Sequence, residues 1–260
     1  MRDFLKAVYA YKRAYIFLKG NRLGSWLVWP ALANLILFVG LGVGAWFTSG
    51  TIVDYFLSLW DVDLSEVWSG YVHLFLVFFA RITTAFIYLK LYRYIMLILF
   101  APILAIQAEK FQRVIYGGSE KFVFSSFIKE AKRGVVVSVR NLFMELAWTL
   151  GLLVLSFAVP ILSPVFAVMI FVTESYYFGF SMLDYSWILA RMSPKQSYSY
   201  IKSRRGLAVG NGMIFNLLLL VPLFGALFGP ALALAAALLS LDDNAKAKSH
   251  TEVYERETIY

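Results

Sequence analysis

The chain has no cysteine and only two histidines, His73 and His250, far apart in the sequence. Disulfides and thiolate metal sites are therefore excluded, and a histidine-rich metal site or a Ser-His-Asp triad has almost nothing to be built from. Charge is also scarce. Asp, Glu, Lys and Arg make up 15% of the residues, against about 25% in soluble domains. No glycine-rich loop with a lysine to cradle a phosphate is present, and Glu145 and Glu174 are not placed as a facing acid–base pair. Neither catalysis nor a cofactor is expected. What fills the space is apolar: 60% of 260 residues, with a mean hydropathy of +0.70. A water-soluble fold cannot bury that fraction, so the chain reads as an all-α integral membrane protein with a single membrane domain. The net charge of +8 then reports orientation rather than nucleic acid.

The apolar residues fall in separate stretches. Residues 1–20 carry recurring charge (Arg2, Asp3, Lys6, Lys12, Arg13, Lys19), which excludes a secretory signal. At 100° per residue, Phe4, Ala7, Val8, Tyr11, Tyr15 and Leu18 share one face while Arg2, Lys6 and Arg13 share another. That pattern predicts a basic amphipathic helix, either lying in the membrane interface or packed on the protein's own cytoplasmic parts. Residues 26–48 hold no charge and are long enough to span, given the ~20 residues a bilayer requires. Pro30 sits in their first turns, and Gly40, Gly42 and Gly44 are placed to admit a neighbouring helix. Residues 49–70 are acidic, with Asp54, Asp61, Asp63 and Glu66. Residues 71–108 are apolar but interrupted by Arg81, Lys90 and Arg93, and are followed by a basic stretch at 109–141. An odd number of crossings puts that stretch inside, so one long helix that continues or kinks near Pro102 is expected.

Two further apolar regions, 146–173 and 212–241, carry prolines in their middles: Pro160 and Pro164 in the first, Pro222 and Pro230 in the second. Their apolar arms rise only roughly 14–20 Å at 1.5 Å per residue, against a hydrocarbon core about 30 Å thick. Residues 174–211 are basic as well, so an even number of crossings is required before them. Both regions therefore read as hairpins that half-penetrate the membrane and return, with apices at these prolines near Ser163 and Ala226. One Pro-kinked span each is the alternative. Ser193-Pro194-Lys195-Gln196 has capping-box spacing and predicts a cytoplasmic helix after it. Residues 242–260 form a polar tail. Both termini are expected in the cytoplasm, with 49–70 outside.

The candidate polar groups are few. Arg81 lies about ten residues into the second span, where a cation is expensive unless it pairs or lines a path; Glu145 is one candidate partner. The returning hairpin arms begin near Pro164 and Pro230 and point helix N-termini into the membrane. Lys19, Asn21 and Arg22 crowd the mouth of the first span. There the Arg22 guanidinium, the N–H groups of Leu23 and Gly24, and the Lys19 ammonium are candidate anion donors.

This layout resembles the CysZ-type sulfate permeases, which share a fold with the etoposide-induced membrane proteins. The resemblance runs from about residue 15 to 241. It is carried by Pro30 with Asn34, Ala101-Pro102 with Glu109, Asp184-Tyr185, Arg204-Arg205, and Pro222 with Pro230. It implies two long membrane helices plus two half-penetrating hairpins, and an inner-membrane permease or channel for sulfate or a similar oxyanion. The partners it implies are a small inorganic anion, the lipid bilayer and further copies of the chain, and no nucleic acid. The family's sulfate site uses adjacent arginines before the first span; those positions hold Gly24 and Ser25 here, leaving Arg22 and Lys19 as the nearest cations. That departure keeps a second function open, a membrane scaffold or lipid-interacting protein without a conducting path.

Overall fold

The computed structural model describes residues 2–21, 23–59, 66–116, 124–187 and 192–241. Every regular element among them is helical: α1 (Arg2–Gly20), α2 (Gly24–Leu59), α3 (Glu66–Leu99), α4 (Ala101–Tyr116), α5 (Phe124–Ala158), α6 (Ser163–Asp184), α7 (Pro194–Ser203), α8 (Arg205–Leu219) and α9 (Pro222–Ser240). Four stretches are long and apolar enough to cross a membrane: Leu27–Ile52, Gly70–Leu99, Ile128–Ala158 and Pro160–Asp184. The helices gather into two compact units, Ala33–Met96 and the remainder of the chain.

In the smaller unit α2 and α3 run antiparallel, tied by a ladder of side chains. The Asn34 amide donates to the Tyr92 hydroxyl at 2.8 Å, and the Tyr88 hydroxyl donates to the Phe38 carbonyl at 2.7 Å. Phe38 sits edge-on to Tyr92, ring centres 4.9 Å apart. Gly42 faces the Tyr88 ring, where a Cβ would stand 3.5 Å away; Gly40 and Gly44 face open space. Further along, Arg81 lies over Trp46 and His73 meets Asp54. These helices outrun the apolar stretches on which they were expected. The first does not stop at 48 but continues to Leu59, and the second begins at Glu66, since extending a helix already nucleated costs far less than starting one. The helix after 70 does break where expected. α3 ends at Leu99 and α4 restarts at Ala101 with Pro102 in its first turn, where a missing N–H is harmless.

The larger unit has a true interior. Residues 231–238 of α9 are all buried, wrapped by α1, α4, α6 and α8. The α6–α8 crossing is so close that only glycine fits. A Cβ on Gly179 would stand 1.9 Å from the Ala208 carbonyl oxygen, and one on Gly212 the same distance from that of Ser175. Beside the crossing, Phe178 and Phe215 stack at 3.9 Å. The amphipathic α1 packs its Ala7–Ala10–Tyr11–Ala14 face on α8 and α9, with the Tyr11 hydroxyl donating to the Asn211 carbonyl at 2.7 Å. Burial pushes that phenol up, so it stays a neutral donor. Outward, α1 shows Leu5, Tyr9 and Ile16.

The base of this unit is pinned by charge. Arg133 grips Asp184 through both carboxylate oxygens at 3.0 and 2.8 Å, and Ser197 donates to the same carboxylate. Tyr185 lies against Gly134, where any side chain would overlap its hydroxyl. The capping box at α7 forms as the sequence predicts, Ser193 and Gln196 exchanging side-chain and backbone bonds.

α5 and α6 form a hairpin that turns through Val159 and the 3-10 turn Pro160–Leu162, its two strokes joined by a Ser156–Ser163 hydroxyl bond of 2.9 Å. Its arms are 35 and 22 residues long, longer than the apolar stretches alone suggest, because they continue as amphipathic helix into the charged base. The second hairpin needs a correction. It turns at Leu220 and Val221, ahead of Pro222, and Pro230 lies inside α9 rather than at an apex. Ala226 is likewise a fully buried residue of α9. The two glycines between these prolines, which read as a turn, are packing residues: a Cβ on Gly225 would strike the Leu218 carbonyl, and one on Gly229 would press on Phe215. Packing of α9 on α8 holds the helix through Pro230, as neighbouring helices do for prolines in membrane helices.

Candidate functional site

The mouth of α2 belongs to the larger unit. α1 ends at Gly20, and Asn21 closes it by donating both its backbone N–H and its side-chain amide to the Phe17 carbonyl. Arg22, the leading candidate donor, lies outside the described residues. Leu23 is buried, and its N–H donates to the Leu18 carbonyl at 3.2 Å. Gly24 opens α2, so the first-turn N–H groups carry the partial positive charge of a helix start. Lys19 and Gly24 do come together, as part of the lining of a cavity of about 690 Å³ between α1, α2 and α9. That cavity is mostly apolar, with Lys19 its one charged residue.

The intramembrane charges are distributed between the units. Arg81 is in the smaller one, its guanidinium 4.0 Å above the centre of the Trp46 ring, a cation–π pairing that compensates part of the cost of a charge inside a span. Glu145 is in the larger one, completely buried on α5.

Glu145 does not stand by itself. Ser138, Asn141, Glu145 and Thr149 succeed one another at intervals of three and four along a single face of α5, and all are buried. Opposite them, the Asn141 amide donates to the Ser181 hydroxyl of α6 at 2.9 Å. The Asn216 amide of α8 donates to the Ser175 hydroxyl at 3.2 Å. A polar seam in two parts thus lies on two sides of α6, one part at its contact with α5 and the other at its contact with α8. Neither Ser175 and Ser181 nor Asn141 and Thr149 are among the candidates that the sequence singles out. The spacing of Asn141 and Thr149 from Glu145 was the available signal. In a low-dielectric setting buried polar groups are costly unless hydrogen-bonded, and these side chains meet that need in one another.

The prolines take different places. Pro160 and Pro164 flank the first turn, whose tip exposes Phe157 at 84% and Ile161 at 86%. The α6 N-terminus beside it has no side-chain cap, and the Ser163 N–H is used by the Pro160 carbonyl. Pro222 starts α9, with Leu217, Leu220, Val221 and Phe224 exposed around it. Both tips are apolar.

Comparison with protein families matches residues 10–230 to the family described as sulfate transporter CysZ/etoposide-induced protein 2.4. The chain belongs to that family. The match covers most of the sequence, including α2 to α8 and the polar seam. A search of curated proteins finds no match to the chain. Membership in a transporter family, with four apolar helices of spanning length, makes this a multi-pass membrane protein of transporter type.

Proposed function

We propose that the protein is a permease or channel for sulfate or a similar small oxyanion. The buried polar seam of α5, α6 and α8, lying within the segment matched to a sulfate transporter family, carries this reading. An oxyanion leaving water must exchange its hydration for fixed donors. Arg22, Lys19 and the first-turn N–H groups of α2 are the candidate capture site at the membrane surface, and the Asn and Ser side chains of the seam are neutral donors beyond it. Arg22 can offer two parallel donors to a tetrahedral oxyanion, which Lys19 cannot.

In this reading the two hairpin tips enter the bilayer without reaching the far side. From Arg140 to the α5 end is roughly 27 Å of helix, and from Glu174 to the α6 start roughly 17 Å, so the shorter arm limits the depth. The basic base of the unit, with both termini, faces the cytoplasm of a cell whose inner membrane holds the protein as a homo-oligomer, and the acidic residues around 49–70 face outward. An introduced cysteine at Lys121 should react with impermeant reagents only from the inside.

Uptake of labelled sulfate by liposomes holding only this protein tests the assignment. Arg22→Ala should weaken flux and leave membrane insertion intact, with Lys19→Ala doing less. Unchanged flux in Arg22→Ala would remove the capture site. The apolar character of the cavity beside Lys19 favours a second reading, a lipid-interacting protein without a conducting path; absence of any sulfate flux from the purified protein would select it.

A further inference from the structure

The cavity at the mouth of α2 is made of three helix faces. α2 offers Leu27, Val28, Ala31 and Leu32, the spacing of a single helical stripe, and α9 offers the corresponding stripe from Phe224 to Leu232. α1 closes it with Tyr15, Leu18 and Lys19. Its volume of about 690 Å³ falls within the roughly 300–1,000 Å³ of ordinary ligand sites. The α2 side runs from Gly24, just ahead of the span Leu27–Ile52, to Leu32, so the groove opens at the mouth of the span and follows it for roughly 8 Å. Its lining holds a single charged residue, a cation, and no acid. Between the α2 stripe and the α9 stripe an oxyanion would find no side-chain hydrogen-bond donor, whereas a hydrocarbon chain would find contact along their whole length.

We infer that this groove binds one anionic phospholipid, an acyl chain lying between α2 and α9 and the phosphate paired with the Lys19 ammonium. Charge complementarity selects the occupant: the lysine sits where a headgroup would be, at the polar end of a mostly apolar groove. α1 supports the placement. Its outer face carries Leu5, Tyr9 and Ile16 exposed, and exposed Lys12 and Arg13 border them. That is the pattern of a helix seated in the headgroup layer among anionic lipids. The inference rests on the groove and on α1, and stands whether or not sulfate is transported.

Native mass spectrometry of the full chain in detergent, titrated with phosphatidylglycerol or with phosphatidylcholine of the same acyl chains, tests it without sulfate. One phosphatidylglycerol should be retained in preference to phosphatidylcholine. Lys19→Gln should cut that preference by about fivefold, the share of one lysine at an anionic surface, while Ala31→Trp should fill the groove and reduce retention of both lipids. Lys19 is exposed, so Lys19→Gln folds even if the tryptophan variant does not. Equal retention of the two lipids by the wild type, or an unchanged preference in Lys19→Gln, overturns the proposal.

Discussion

The two units solve the same problem, packing apolar helices, in opposite ways. In Ala33–Met96 two long helices touch along one seam, with aromatic rings in its middle and hydrogen bonds at intervals; most of their surface is left to lipid. In the other unit several helices enclose α9, and glycine backbones at the α6–α8 crossing come within contact of carbonyls. Polar side chains are buried between them. The difference shows where this protein tolerates change. A ladder of flexible rings can shift to accept an added methyl, whereas two backbones in contact cannot. A polar seam also needs a rigid frame, since a donor displaced by an ångström no longer serves its partner.

The sharpest way to break the comparison is at the glycines. Gly212→Leu should prevent the α6–α8 crossing and abolish recovery of monodisperse protein, because overpacking backbone against backbone has no rotamer to relax into. Gly44→Leu, on a helix of the smaller unit with nothing within 4 Å, should be recovered at wild-type level. Equal tolerance at both positions would show that the α6–α8 crossing is not as close as described.

Next in size are the ion pairs. Arg133→Ala leaves the nearly buried Asp184 carboxylate without its guanidinium and should cost about 3–5 kcal/mol, visible as a fall in thermal unfolding temperature in detergent. His73→Ala in the smaller unit, whose pairing with Asp54 is exposed, should leave that temperature unchanged. The smallest effect is expected at the ladder itself. Tyr92→Phe removes the hydroxyl that accepts from Asn34 and should cost on the order of 0.6 kcal/mol, as interhelical hydrogen bonds in membranes do. A loss of several kcal/mol there would mean that the ladder, and not lipid, holds α2 and α3 together.

Several of the helix breaks among the described residues were legible because proline acts locally. Pro102, Pro160 and Pro164 each mark a break that the structure contains, and Ser193 with Gln196 marks a cap. Pro230 misled for a tertiary reason. Its segment reads as a turn through Gly225 and Gly229, yet those glycines serve the approach of α8, and nothing in the local sequence distinguishes a glycine that bends from one that packs. α1 was half legible: Ala7 and Tyr11 of the expected face are buried against α8 and α9, one of the two placements the sequence leaves open, but Ala10 and Ala14 are buried with them and Tyr15 is exposed. In the candidate site, charge drew attention to Lys19, Arg81 and Glu145. Of the neutral members of the seam, Asn141 could be found from its spacing to Glu145, whereas Ser175, Ser181 and Asn216 become visible only when their helices are brought together.

The central claim, that this seam conducts an oxyanion, is tested most directly by sulfate uptake into liposomes containing wild type or Asn141→Leu. The substitution is close in size, and Ser181 keeps its own bond to the Tyr177 carbonyl at 3.2 Å, so the hairpin should remain folded. The wild type is predicted to show sulfate-dependent uptake that falls at least about tenfold in the variant, as expected when a donor worth ~1.4 kcal/mol is lost from the path. Uptake at the wild-type rate through a correctly folded Asn141→Leu protein would contradict it.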